Sequence, residues 1–367
     1  MRDDMIHIEP VSQTSRRQIN QFIRFPFGLY KGNRNWTPML NLDMREYFKR
    51  DSFPFYDHSD AAFFLAFRNN QVVGRIAAID HSLFNKHHQT RKGSFFFFDC
   101  EDDQEAANAL FSAAGAWLKA RGLNEIIGPK GFGLLDPYGL LIDGFAENQT
   151  MAFTTYNFPY YRQFIEEAGF EKEIDFQSYQ ILTESFNFPS WIINLAEKVM
   201  VEASLTVGTF QTLRGMEKPI YQLVQLYIDS FKNNWEYYPL PGNEIDFLIK
   251  ALIPIGVPNL IKVIYHHEQP VGLLLGLPDL STTLQQSNGR LTPATIFRAL
   301  KQKSQLDNAV MVGIAITETF QNKGGSALLM TEMAKTVLQL GIKKLELINV
   351  AESAKRMRDD LQALDAR

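Results

Sequence analysis

The chain has 367 residues, a formal net charge of −4, 45% hydrophobic and 21% charged residues, and one cysteine. Such a length holds two ordinary domains, and the mildly acidic balance speaks against nucleic acid or an anionic surface as a general partner of the whole chain. The lone Cys100 excludes an internal disulfide and a cysteine-rich zinc site, no signal-peptide pattern follows Met1, and no apolar run approaches the roughly 20 residues of a membrane span, so a cytoplasmic setting is expected.

Alternation and turn chemistry predict a hairpin of residues 61–67 and 71–76 around Arg68, Asn69 and Asn70. A strand over 93–100, a helix over 104–121 ended by Gly122, and a strand over 125–128 follow. A helix over 160–168, stopped by Gly169, leads to a strand of alternating character over 170–182. The boundary between halves falls at 183–190, which gives domains 1–183 and 184–367. The second half then reads as helix 191–203, strand 206–213, and a hairpin of 260–265 and 269–274. After it come a polar loop over 281–289 and a helix through Phe297 and Leu300. Next are an apolar strand over 309–317, a glycine loop over 320–326, helix 326–340, strand 345–350 and helix 352–363.

The order of elements repeats, and the pair Gln71-Val72-Val73-Gly74 and Gln269-Pro270-Val271-Gly272 anchors the comparison. Residues 281–306 form an insertion in the second half. That half has no counterpart of the strand over 170–182, so its last strand is missing. An open edge of this kind is prone to pairing with other chains, unless another segment fills it.

The most informative stretch is the glycine loop. An apolar strand emptying into Gln321, Asn322, Lys323, Gly324, Gly325 and Ser326, with a helix behind it, leaves backbone N–H groups without internal partners. The helix dipole adds partial positive charge, Lys323 adds a full one, and an anion such as a pyrophosphate is the natural guest. Glycine serves there either for positive φ or for close approach of the guest. Neither a Gly-Lys-Ser/Thr ending nor a GxGxxG run is present. In the first half the matching positions are Asp102, Asp103, Gln104, Glu105, Ala106 and Ala107, beside Glu101. These carboxylates would repel a pyrophosphate, and Asp102 and Asp103 suit an N-cap and first-turn acids. A single anion site, in the second half, is expected.

Gln321-x-x-Gly324-x-Ser326 resembles the acyl-CoA loop of the GNAT acyltransferases, Gln/Arg-x-x-Gly-x-Gly/Ala, with Ser326 departing at the last position. Further segments are similar to the YghO-like branch, which includes bacterial ceramide-synthase-like acyltransferases. They include Val73-Gly74-Arg75-Ile76, Ile127-Gly128-Pro129, Gly139-Leu140-Leu141-Ile142-Asp143-Gly144-Phe145, Asn234-Trp235-x3-Pro239 and Leu277-Pro278-Asp279. The resemblance implies an α+β fold: two tandem acyl-CoA N-acyltransferase domains, each a mixed, mostly antiparallel sheet flanked by helices. It implies acetyl-CoA or a longer acyl-CoA as co-substrate, with no metal, and a small-molecule or lipid amine as acceptor, a long-chain base being one case. Backbone groups of Ile314, Ala315 and Ile316 would hold the pantetheine where the strand parts from the next one. The 29 phenylalanines fit deep cores or an apolar acyl channel.

Candidate acids and bases are Glu318 at the mouth of the cofactor strand, half-buried Glu346, and Glu236 in the loop Asn234-Trp235-Glu236-Tyr237-Tyr238-Pro239. A buried carboxylate could take a proton from the acceptor ammonium. Trp235 and Tyr238 could wall the acceptor pocket. Ser353 stands near where relatives carry a donor for the departing thiolate, and it equally suits a cap for the last helix. His81, His87 and His88 lack metal-ligand spacing, and His87-His88, in a loop bearing Lys and Arg, reads as solvated surface. Two other readings remain: an acyl-CoA-binding protein without turnover, and an aminoacyl-tRNA-dependent transferase, against which the absence of a basic stripe counts.

Overall fold

The structure is a computed structural model describing residues 5–184, 186, 188–208, 210, 212, 220–232, 237–321, 323–364 and 366. The chain divides into two compact units, Met1–Glu173 with Ser281–Ile296, and Ile174–Leu280 with Phe297–Arg367.

The first unit carries β1 (His7–Pro10), α1 (Arg16–Leu29), α2 (Asn41–Glu46), β2 (Asp60–Arg68), β3 (Gln71–Asp80), α3 (Ser82–His88), β4 (Lys92–Cys100), α4 (Gln104–Ala120), β5 (Glu125–Ile127) and α5 (Tyr161–Glu167). Its sheet runs β1-β2-β3-β4-β5, antiparallel except for the parallel β4–β5 pair. Asn69 and Asn70 both take positive φ, as a tight right-twisting hairpin requires. Helix α4 buries Ala106, Leu110, Ala114 and Leu118, a stripe at helical spacing. Among the described residues every phenylalanine in the buried core lies in this unit. Phe22, for example, meets Phe48, Phe63 and Phe97 edge-on. The phenylalanine excess is therefore spent on this core.

The second unit holds β6 (Phe176–Leu182), α6 (Ser190–Glu202), β7 (Leu205–Gly208), α7 (Ile220–Ser230), α8 (Gly242–Leu252), β8 (Ile261–His266) and β9 (Gln269–Pro278). In the chain α9 (Ser281–Ser287), which belongs to the first unit, and α10 (Pro293–Gln305), which begins in the first unit and ends in the second, follow, then β10 (Asn308–Ile316), α11 (Gly325–Leu340), β11 (Lys344–Ala351) and α12 (Lys355–Ala363) of the second. Its sheet runs β6-β11-β10-β9-β8-β7. From β7 to β11 the pairing repeats that of β1 to β5, including the parallel β10–β11 pair.

Two expectations change here. The strand over 170–182 does not close the first half. As β6 it lies antiparallel to β11, so the edge expected to lack its last strand is filled and the compact units divide at 173/174 rather than 183/184. The second change concerns residues 281–289. Their Ser, Thr and Gln content reads as a loop, yet 281–287 are helical, with Ser281, Thr283 and Ser287 buried and the Ser281 hydroxyl accepting from the Met151 N–H at 2.7 Å. Satisfied burial overrides the local preference of these side chains for turns.

Candidate functional site

The site begins where β10 and β11 part. Their parallel pairing joins 308–311 to 344–347 and goes no further. On the far side β10 shifts register against β9 between Met311 and Gly313, and β11 shifts against β6 between Leu347 and Val350, where Asn349 takes a φ of 57°. Each bulge bends its strand away from the other. The backbone of residues 312–316, Ile314, Ala315 and Ile316 included, thus keeps β9 on one edge and no ladder on the other.

The strand ends in a short turn, Glu318–Phe320, followed by Gln321, Lys323 and the N-terminus of α11. Gly324 is the N-cap, with φ 79°, and among the described residues no side chain caps the helix. A Cβ on Gly324 would stand 2.5 Å from Val199 Cγ2, and one on Gly325 would touch Ile264 and Ile316. Positive φ and packing, not room for a guest, make glycine necessary at these two positions. Gln321 is spent on the turn: its N–H reaches the Thr317 carbonyl at 3.1 Å and its Nε2 donates to the Ile316 carbonyl at 3.1 Å. Lys323 is exposed, with its ammonium 5.4 Å from the Phe320 ring centre. Asn322 lies outside the described residues. What faces outward is an uncapped helix end flanked by Lys323 and half-buried Ser326, an arrangement that fits a diphosphate.

In the first unit the equivalent helix end is closed. Asp103 is the N-cap of α4, and its carboxylate accepts from the Ala106 N–H at 3.1 Å and binds Arg68 at 2.9 Å. Cap on cap, Gly324 corresponds to Asp103, two positions from the Glu105 that the sequence comparison pairs with it.

The candidate acids and bases do not converge. Glu346 is buried, but it lies opposite Val310 in the paired part of the strands and is ion-paired with Lys344. Glu318 is exposed and meets Lys232 at 3.0 Å. Tyr238 is buried, with its hydroxyl donating to Glu244 at 3.2 Å. Ser353 is exposed and is not the cap of α12; Ala354 holds that position without a side-chain bond. Trp235 and Glu236 lie outside the described residues.

One residue escapes sequence reasoning. A Cβ on Gly313 would stand 2.6 Å from the hydroxyl of Tyr227 on α7, so this phenol rests on the strand at the point where the gap opens. Burial pushes its pKa up to about 12. The signal was a glycine inside an apolar strand, which marks a bulge or a close approach. Helix α7 covers one face of the sheet, where Leu223 and Leu226 pack with Ala315. Helix α11 covers the other, where Leu328 and Met333 pack with Ile314.

On the α11 face the gap continues into an apolar cavity of about 150 Å³. Met311, Ile314, Met330, Met333, Leu347 and Met357 line it, and Ile181 of the added strand β6 contributes to its wall. Methionine thioethers give such a wall an adaptable shape.

A solved tandem GNAT protein from the clavulanic acid biosynthesis pathway superposes over 99% of this chain and 95% of its own length, with a TM-score of 0.56 at 9% identity. This chain has the tandem GNAT fold. No protein-family model matches it. In sequence the chain is 28% identical over 282 residues to protein YghO of Escherichia coli (strain K12), covering 76% of this chain and 70% of that protein. It is 26% identical over 351 residues to a bacterial ceramide synthase of Caulobacter vibrioides (strain NA1000 / CB15N), covering 93% and 89%.

Proposed function

We propose that the protein is an N-acyltransferase that moves an acyl group from acyl-CoA to an amine, with the whole coenzyme site in the second unit. The observation that carries this reading is the sequence of an open strand edge, 312–316, and an uncapped helix N-terminus at Gly324. Amides of Lys323, Gly325 and Ser326 would take the diphosphate, and the open edge of β10 the pantetheine amides. The thioester then lies near Gly313. The neutral amine nitrogen attacks the carbonyl carbon, the C–S bond breaks, and the nitrogen gives up one proton, which restores the group that protonates the departing thiolate, leaving an amide and a free thiol. Tyr227, with its pKa raised and its hydroxyl at Gly313, is the group placed to supply that proton.

The apolar cavity favours an acyl chain longer than acetyl, since a two-carbon group leaves it empty. Similarity to a bacterial ceramide synthase supports a long-chain amine as acceptor. Release of free thiol from acetyl-, hexanoyl- and palmitoyl-CoA, with and without a panel of amines, tests both points. A second reading, acyl-CoA binding without turnover, is favoured by one observation: Glu318 and Glu346 are each ion-paired. Thiol release that no amine stimulates would favour it.

A further inference from the structure

Helix α10 carries an apolar stripe that is open to solvent. Ile296, Phe297 and Leu300 are 47%, 69% and 60% exposed, while Thr295 on the other side is buried. At about 100° per residue these three side chains share one narrow face. Cations border it. Lys301 stands one turn after Phe297, and Lys303 lies two turns after Ile296 on the opposite rim. Residues 290–305 hold four cations, Arg290, Arg298, Lys301 and Lys303, and no acid, in a chain whose net charge is −4. Lys303 is held in place, with Nζ donating to the Pro254 carbonyl at 2.9 Å, and the neighbouring Ile253 adds another exposed aliphatic group. Among the described residues no ion pair engages Arg298 or Lys301.

Lysine is depleted in protein–protein interfaces, whereas an apolar stripe between cationic borders is what a helix lying in a membrane surface needs. We infer that α10 docks the protein on an anionic bilayer, with Phe297 and Leu300 below the headgroups and Lys301, on the rim of the stripe, among the lipid phosphates. The inference does not depend on the acyl-transfer reading, because the surface needs neither coenzyme nor acceptor.

The test is sedimentation of the full chain with vesicles of phosphatidylcholine alone and of phosphatidylcholine mixed equally with phosphatidylglycerol. The expected result is binding to the mixed vesicles, roughly tenfold or more above the neutral ones and weakened by salt. Phe297→Ser with Leu300→Ser should lower it by about tenfold or more at an unchanged melting temperature, because both positions are exposed. In a separate Phe297→Trp protein, indole emission should shift to the blue on adding mixed vesicles. Absence of wild-type binding to mixed vesicles, or equal binding by the double variant, overturns the inference. So does a dimer that the double variant disperses in the absence of any vesicle binding, since the stripe would then join two copies of the chain.

Discussion

Asp103 and Gly324 occupy the same place, the N-cap of the helix after the fourth strand of a five-strand motif, and treat it in opposite ways. Asp103 closes its helix with a carboxylate bonded to the Ala106 N–H, and Gly324 leaves the helix end bare. A carboxylate in that position satisfies the amides and repels a phosphate; a bare end attracts one. Of the two equivalent helix ends, only the one at Gly324 is left without a side-chain cap among the described residues.

The first prediction follows from that contrast. Asp103→Gly should cost about 1 kcal/mol of stability through the lost cap and the lost Arg68 pair. It should leave coenzyme affinity unchanged. Thermal melting and calorimetry on the same preparation separate the two effects.

Tyr227→Phe should leave folding and coenzyme binding intact and lower kcat by about tenfold to a hundredfold, the range expected when a positioned proton donor is lost. Steady-state kinetics with a fixed acyl-CoA reads this out. Unchanged kcat would assign Tyr227 to packing over Gly313 alone.

Glu346 and Lys344 form a structural pair in the paired part of β10 and β11. Lys344→Met should therefore destabilise by about 1–3 kcal/mol, and Lys344→Met combined with Glu346→Met should recover most of that loss. Denaturant melts test the cycle. Glu346→Gln should leave the shape of the pH profile of kcat/KM unchanged, which a general base would not.

His81 supplies a pH effect in the first unit. It is buried, its Nδ1 accepts from the Phe84 N–H at 3.3 Å, and burial, with Lys130 and His58 nearby, lowers its pKa to about 3. Between that value and an unfolded value of about 6.5 the unfolded chain binds the proton and the folded chain does not. Stability contributed by the neutral ring is complete above about 6.5 and falls with pH through this window, by up to about 1.4 kcal/mol per pH unit. Asp99 and Asp136 in the same unit are pushed up by burial and act with the opposite sign, so the difference between wild type and His81→Asn is the quantity to measure. The stability of wild type relative to His81→Asn should rise with pH through that window and level off above about 6.5.

Much of this was legible in the sequence, for physical reasons. The hairpin turns declare themselves through Asn69-Asn70 and His267, residues that tolerate or are driven into positive φ, and Gly341 ends α11 in the same conformation. The parting of β10 from β11 was expected only through the resemblance to the GNAT acyltransferases carried by the loop at 321–326. What could not be read was tertiary. The alternating strand over 176–182 carries no mark of which sheet it joins, since either sheet presents an equivalent edge beside its fifth strand. Glu346 has the alternation of a half-buried base, but only the fold shows Lys344 turned to it. That the Tyr238 hydroxyl donates to Glu244, six residues on, is likewise visible only in the fold. Tyr227 is remote in sequence from Gly313, and only the absence of a side chain at Gly313 hinted that something sits above it.

The most direct measurement titrates coenzyme A into the wild-type chain and into Lys323→Glu with Ser326→Asp by calorimetry. Acids at the start of α11 suit the helix dipole, so the variant should melt no lower than wild type. The account predicts one site per chain in the wild type and a loss of affinity of about a hundredfold or more in the variant. Wild-type affinity in the variant, or two sites per chain, would contradict it.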